Sequence, residues 1–214
     1  MKQDLTKIKY KQFKESRIDF NNIPDNPFKM FRLWFDDALE SESENAINFV
    51  LSTVNAQSMP SSRVVLLKDL TNLGFVFFTN YNSSKSKNIE INPFVSANFF
   101  WQGLEKQVRI VGKAERISQD QSNVYYNSRP RNSQLGAWAS KQSETIDFDY
   151  DLVNIMNKYD KKFSEKTIDR PRYWGGYQII PHRIEFWQGR PNRLHDRLLF
   201  YKNEDLWEKK RLSP

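Results

Sequence analysis

The chain lacks cysteine entirely, has two histidines and seven glycines, and carries no apolar run long enough to cross a bilayer. Without cysteine there are no disulfides, no thiolate nucleophile and no zinc-finger spacing. His182 and His195 are the only imidazoles, too few to build a typical transition-metal site, so no metal is expected. The longest apolar stretches, such as VVLL and FVFF, fall far short of the ~20 residues a spanning helix needs. The opening MKQDLTKIKYKQF has no continuous apolar segment of the kind a signal peptide carries. The expectation is a cytoplasmic protein with no membrane partner.

What is present fits an ordinary globular domain. The 214 residues, 38% hydrophobic and 28% charged, can bury a sizeable core, and the expected organisation is a basic tail or lid over 1–20 followed by one domain over 21–214. The formal charge of +7 raises the question of nucleic acid. Residues 1–20 hold six basic residues against Asp4, Glu15 and Asp19, so about half the excess sits in that tail. The aromatics of IEFWQG and NFFWQG also have ordinary core roles, and no nucleic-acid partner is expected.

The segment DNPFKMFRLWFDDALESE spaces Phe28, Phe31, Leu33, Trp34, Phe35 and Leu39 as an amphipathic helix, with Pro27 at a first helical position. NFVLSTVNA, SSRVVLLKD, GFVFFTN, VSANFFWQ, EKQVRIVGKAERI, YWGGYQIIP, HRIEFWQG and NRLHDRLLFYK follow, rich in β-branched and aromatic residues and bounded by turn formers. They predict strands. Two helical insertions interrupt them: SSKSKNIEIN, closed by Pro93, and a stretch over 119–162 broken at Pro130. The fold class is mainly β, a β-barrel with flanking helices.

Cations recur beside hydroxyl groups. If NRLHDR is a strand, Arg193, His195 and Arg197 share one face, which calls for an anion or for acidic partners on a neighbouring strand. TNYNSSKSK sets Thr79, Ser83, Ser84 and Lys85 at a strand-to-helix junction, where free N–H groups favour phosphate. Arg63 and Lys68 flank an apolar strand, on opposite faces by a strict two-residue period. Tyr125, Arg129 and Ser133 recur every four residues, as one helical face would present them. Six permanent cations would balance about two phosphate monoesters, one on a cofactor and one on a substrate.

In order and spacing, RVVLLK, FFTN with SSK, QVRIVGKAER, YYNSRPRNSQLGAWASKQS, YWGGY, IEFWQGRPNRLHDR and RLSP resemble the pyridoxine (pyridoxamine) 5'-phosphate oxidase family over about residues 24–214. The resemblance implies a split β-barrel, FMN-binding, with FMN held at the interface of a homodimer, a small phosphorylated pyridine substrate, and dioxygen as the acceptor. It assigns Arg63, Val64, Val65, Leu66, Leu67 and Lys68 to the flavin, with Lys68 also reaching the substrate phosphate. Phe78, Thr79, Ser84 and Lys85 would hold the flavin's phosphate and ribityl chain, completed by Gln107, Gln142, Ser143, Trp187 and Arg197. Tyr125, Arg129 and Ser133 would grip the substrate phosphate. Arg193, Leu194 and His195 would meet the pyridine ring, with Arg193 and His195 as the catalytic pair. Two positions depart from the pattern. Ser84 stands where the family usually has a basic residue, and the residues that fold over substrate fall near Tyr10 and Phe13, with Lys9 and Lys11 beside them.

Overall fold

A computed structural model of the chain describes residues 12–14, 16–164 and 166–214. The suggested lid residues Lys9, Tyr10 and Lys11 lie outside the described residues. Among the described residues are five α-helices, α1 (Pro27–Glu42), α2 (Ser84–Ile91), α3 (Gln119–Ser128), α4 (Arg131–Ala139) and α5 (Leu152–Lys162). The strands are β1 (Asn48–Val54), β2 (Pro60–Leu66), β3 (Asp69–Leu70), β4 (Phe75–Asn80), β5 (Phe94–Trp101), β6 (Lys106–Arg116), β7 (Trp174–Gln188), β8 (Asp196–Asn203) and β9 (Leu206–Leu212). They form one sheet in the order β2-β1-β5-β6-β7-β4-β3, with β8 paired to β7 and β9 to β8. The fold is mainly β with flanking helices, as expected. No helix among the described residues is long and apolar enough to cross a membrane.

Local chemistry explains the elements. The Asn26 side chain accepts from the Phe28 amide and Pro27 takes the first helical position, so α1 starts where its free N–H groups are satisfied. Its buried stripe is Phe28, Phe31, Trp34 and Ala38, while Leu33 and Leu39 are exposed. YWGGYQIIP and HRIEFWQG are one strand, not two. Residues 174–179 of β7 pair with β4 and 183–188 with β8, and Pro181 falls between these two ladders, where neither requires an N–H from it. The strand β9 was not expected, because LWEKKRL reads as a polar tail; it forms as a charged edge strand on β8.

The basic strand expected at NRLHDR needs correction. Pro191, Asn192 and Arg193 form a single 3-10 turn, with Asn192 at φ 57° and Arg193 at φ 61°, and β8 begins only at Asp196. Two successive left-handed residues cannot belong to a strand, so Arg193 and His195 do not share a strand face with Arg197. Likewise β2 ends at Leu66, and Lys68 lies beyond it, free of the alternation that would oppose it to Arg63.

Two compact units divide the chain. The first contains the described residues up to Ala46, Asn98–Ile110 and Arg183–Pro214; the second contains Ile47–Ala97 and Val111–His182. In the first, α1 lays Phe31 against Phe99 and Trp34 against Phe186, which meets Phe200. In the second, Phe77 stacks on Tyr177, and a separate cluster of Tyr126, Leu135, Ala137, Ile168 and Trp174 joins α3 and α4 to β7.

Candidate functional site

In the second unit, β2, β4, the start of α2, the α3–α4 junction, the segment after α4 and the first residue of β7 surround a cavity of about 710 Å³. A ligand pocket of this kind is typically a few hundred to about 1,000 Å³. Its wall carries Arg63, Lys68, Lys85 and Arg129, and not one Asp or Glu.

Each cation is placed by its neighbours. Arg63, on β2, donates to the Leu51 carbonyl at 3.1 Å and Thr53 Oγ1 at 2.9 Å across the pairing with β1, and to Ser61 Oγ at 2.6 Å. Lys85, only 8% exposed, directs its ammonium at Thr79 Oγ1 (3.1 Å), Ser83 Oγ (3.2 Å) and Gln142 Oε1 (3.1 Å). All three partners are neutral. Burial, reinforced by the charge of Arg63, brings the Lys85 ammonium down to about 8. Ser83 caps α2 through its backbone alone, because its hydroxyl makes no capping bond; Ser84, the first residue of α2, also lines the cavity.

Arg129 closes α3, its amide donating to the Tyr126 carbonyl at 3.2 Å. Its guanidinium lies 4.5 Å from the Trp174 ring centroid and 5.7 Å from that of Tyr126. Nη1 is buried with no hydrogen-bond partner among the described residues. Burial holds the guanidinium below its ordinary range and holds the Tyr125 phenol above its own, so Tyr125 keeps its proton and can donate it. Helix α3 approaches β7 closely because Gly175 has no side chain, a Cβ there lying 3.0 Å from Ser122 Oγ of α3, and the segment leading into α3 closes in on Gly176 for the same reason. A Cβ on Gly176 would lie 2.4 Å from the tip of Ile117 and 2.9 Å from the Phe78 ring. The Gly176 amide donates to Ser122 Oγ of α3, and the approach brings Tyr125 and Tyr126 onto Trp174.

Of the residues expected at the flavin, Arg63, Val64, Val65, Leu66, Lys68, Phe78, Thr79, Ser84, Lys85, Gln142 and Ser143 line this cavity. Tyr125, Arg129 and Ser133 line it too, though not as one helical face: Arg129 and Pro130 separate α3 from α4, and the kink gathers the three side chains. Leu67 does not line it and is buried. Gln107, Trp187, Arg193, Leu194, His195 and Arg197 belong to the first unit. There a second hollow of about 760 Å³ is lined by Phe13, Glu105, Arg190, Arg193 and His195, among others. His195 Nδ1 accepts from the Arg190 amide at 3.1 Å, which assigns the imidazole proton to Nε2. Burial, then the charge of Arg193, lowers the His195 pKa from its ordinary value. The His195 ring lies 4.6 Å from Trp187 and 5.5 Å from Phe13. Arg197 donates to Glu185 Oε1 at 2.8 Å and to the Ser213 carbonyl at 2.9 Å. It thus has the acidic partner on a neighbouring strand that a structural cation would have.

Asn80, Gly136, Ala137, Ser140 and Trp174 also line the first cavity and were not foreseen. Asn80 adjoins Thr79 in FFTN and Trp174 opens the WGG run; the adjacency was visible, but no periodicity singles these residues out.

Residues 35–159 match the family described as pyridoxamine 5'-phosphate oxidase, and residues 174–214 match the pyridoxine 5'-phosphate oxidase C-terminal dimerisation region. The chain is 42% identical over 218 residues to the pyridoxine/pyridoxamine 5'-phosphate oxidase of Pseudomonas paraeruginosa, covering 100% of both chains. It is 50% identical to that of Rippkaea orientalis, covering 93% of each. The chain belongs to the pyridoxine/pyridoxamine 5'-phosphate oxidase family. Membership makes it an oxidoreductase. The family fold is seen in PhzG from Burkholderia lata, solved with tetrahydrophenazine-1-carboxylic acid: TM-score 0.88, 22% identity, 95% of this chain and 100% of that one. A pyridoxamine 5'-phosphate oxidase-related, FMN-binding protein of Nostoc punctiforme has the same fold, with TM-score 0.69, 15% identity and coverage of 86% and 97%.

Proposed function

We propose that the chain, working through a single oxidase domain over residues 21–214, converts pyridoxine 5'-phosphate and pyridoxamine 5'-phosphate to pyridoxal 5'-phosphate. FMN is the cofactor and dioxygen the acceptor, with release of hydrogen peroxide and, from the amine, ammonia. The enzyme acts as a homodimer with FMN at the subunit interface. The observation that carries this reading is a cavity walled by Arg63, Lys68, Lys85 and Arg129 without a single carboxylate. That charge demands anionic ligands, and the buried, unpartnered Nη1 of Arg129 is a donor awaiting an acceptor. The names of the relatives and the match to a dimerisation region support the chemistry and the assembly.

The donor set fits two phosphate groups. Arg63, Thr79, Ser84, Lys85, Gln142 and Ser143 would hold the cofactor's phosphate and ribityl chain, with Val64, Val65, Leu66 and Phe78 against it. Gln107, Trp187 and Arg197 would complete that site. Lys68, Tyr125, Arg129 and Ser133 would bind the substrate phosphate, Tyr125 as a phenol that burial keeps protonated. When bound, FMN supplies a two-electron acceptor, the difficult part of the chemistry. Arg193 would lie along the pyridine ring and offset negative charge developing there, beside Leu194. His195, with its proton on Nε2 and its pKa lowered, would act as a neutral hydrogen-bond donor at that atom. Charge-assisted hydrogen bonds contribute about 1.5–3 kcal/mol each, so the phosphate should dominate recognition. The test compares pyridoxine 5'-phosphate with unphosphorylated pyridoxine on protein reconstituted with FMN. A Michaelis constant higher by orders of magnitude for pyridoxine supports the reading; equal efficiency on both contradicts it.

A further inference from the structure

Arg129 differs from Arg63 and Lys85 in what fixes it. Arg63 and Lys85 are held by hydrogen bonds to hydroxyl and carbonyl oxygens. The Arg129 backbone is anchored, its carbonyl accepting from Gln134 Nε2 at 3.1 Å beside the Pro130 break. Its guanidinium has no carboxylate beside it in the cavity wall, and Nη1 is buried without a partner. What it does have is the face of Trp174, 4.5 Å away. Trp174 is itself fixed: its amide donates to the Pro171 carbonyl at 3.0 Å, its carbonyl accepts from Arg170, and its ring runs nearly parallel to Phe78 (5.5 Å, 14°) and Tyr125 (6.2 Å, 11°). Trp174 also lines the cavity.

We infer that Trp174 is a positioning residue for phosphate recognition, holding the Arg129 guanidinium over its indole face so that the unpartnered Nη1 is ready for a phosphate oxygen. Stacking orients a guanidinium without neutralising it, whereas a carboxylate would compete with the ligand for the same donors. Indole is the best of the aromatic faces for a cation, and a partly desolvated pair gains more than an exposed one. The inference rests on the proposed role of Arg129 as a phosphate ligand, and Trp174 itself need not touch the substrate.

The test uses the full-length, FMN-loaded protein and measures, by fluorescence titration, the dissociation constant of pyridoxal 5'-phosphate, alongside kcat, KM, flavin content and melting temperature. Trp174→Leu removes the face, Trp174→Phe keeps a ring and most of the packing, and Arg129→Gln removes the cation. Trp174→Leu should weaken binding about 10-fold and Trp174→Phe by less, as expected for losing one desolvated cation–π contact. The loss should appear in KM with kcat little changed, flavin content should hold, and the low efficiency with unphosphorylated pyridoxine should not move. In the Arg129→Gln background, adding Trp174→Leu should cost nothing more, because the indole then has no cation to hold. Wild-type affinity in Trp174→Phe and Trp174→Leu overturns the inference, as does a fully additive loss in the double variant or an equal loss with and without the phosphate group. If Trp174→Leu does not fold, Trp174→Phe and its double variant with Arg129→Gln decide by the same criteria. Should the wild-type protein retain FMN yet bind no pyridoxal 5'-phosphate, the proposed substrate falls and takes this inference with it.

Discussion

At the scale of single residues, Lys85 makes the most direct statement about pH. Its ammonium is lowered to about 8 by burial and by Arg63. With the cavity empty, the unfolded chain holds a proton between about pH 8 and the ordinary lysine value of 10.5 that the folded chain does not, so this group raises stability as pH climbs through that window. A bound phosphate reverses the preference, because it favours the charged ammonium. FMN affinity should therefore be highest below about pH 8 and fall above it, and Lys85→Met should be weaker but flatter across that range; fluorescence titrations at several pH values measure both. Arg193 and Arg197 should also separate. Arg197→Met should chiefly lose flavin and purify paler, although the loss also leaves the buried Glu185 with Arg109 as its remaining guanidinium partner. Arg193→Met should keep flavin and lose turnover, and Arg193→Lys should not restore it fully, since an ammonium does not lie along a ring as a guanidinium does. Flavin content and steady-state kinetics on the variants check the assignment. That Arg63, Lys68, Lys85 and Arg129 come together at one cavity was legible in the sequence, because each stands in one of its motifs. The geometry was not: a positive φ at Arg193 and an indole beneath Arg129 leave no periodic trace.

Among the elements, the departures from expectation cluster where the chain turns. The two-residue alternation applied to NRLHDR failed because Pro191 and two left-handed residues replace the start of a strand with a tight turn. Spacing by fours at Tyr125, Arg129 and Ser133 led to the right grouping through the wrong geometry, since Pro130 ends one helix and starts the next. The core elements were easier to read: α1 announces itself by its Asn-Pro start and apolar stripe, and β4 by FVFF. In α4, Gly136 has open space around its Cα, with nothing within 4 Å of an added Cβ. Gly136→Ala should therefore stabilise the helix by about 0.5–1 kcal/mol, visible as a higher melting temperature. The added methyl also enters the cavity lining, so ligand affinity should fall or hold but not improve.

For the whole molecule, assembly is the first question. The strand β2 stands at one end of the sheet order, and Val64 and Leu66 on it are 63% and 42% exposed while also lining the cavity. An edge strand with apolar side chains in the open is a surface that a second copy can cover. Val64→Lys with Leu66→Lys should shift the protein toward monomer in sedimentation and lower its flavin content together. The central claim, an FMN-dependent oxidase acting on phosphorylated pyridines, is tested most directly by oxygen consumption. Protein loaded with FMN and given pyridoxine 5'-phosphate or pyridoxamine 5'-phosphate should consume oxygen and form pyridoxal 5'-phosphate and hydrogen peroxide in equal amounts; no oxygen uptake with either substrate, on protein shown to hold its flavin, would contradict it.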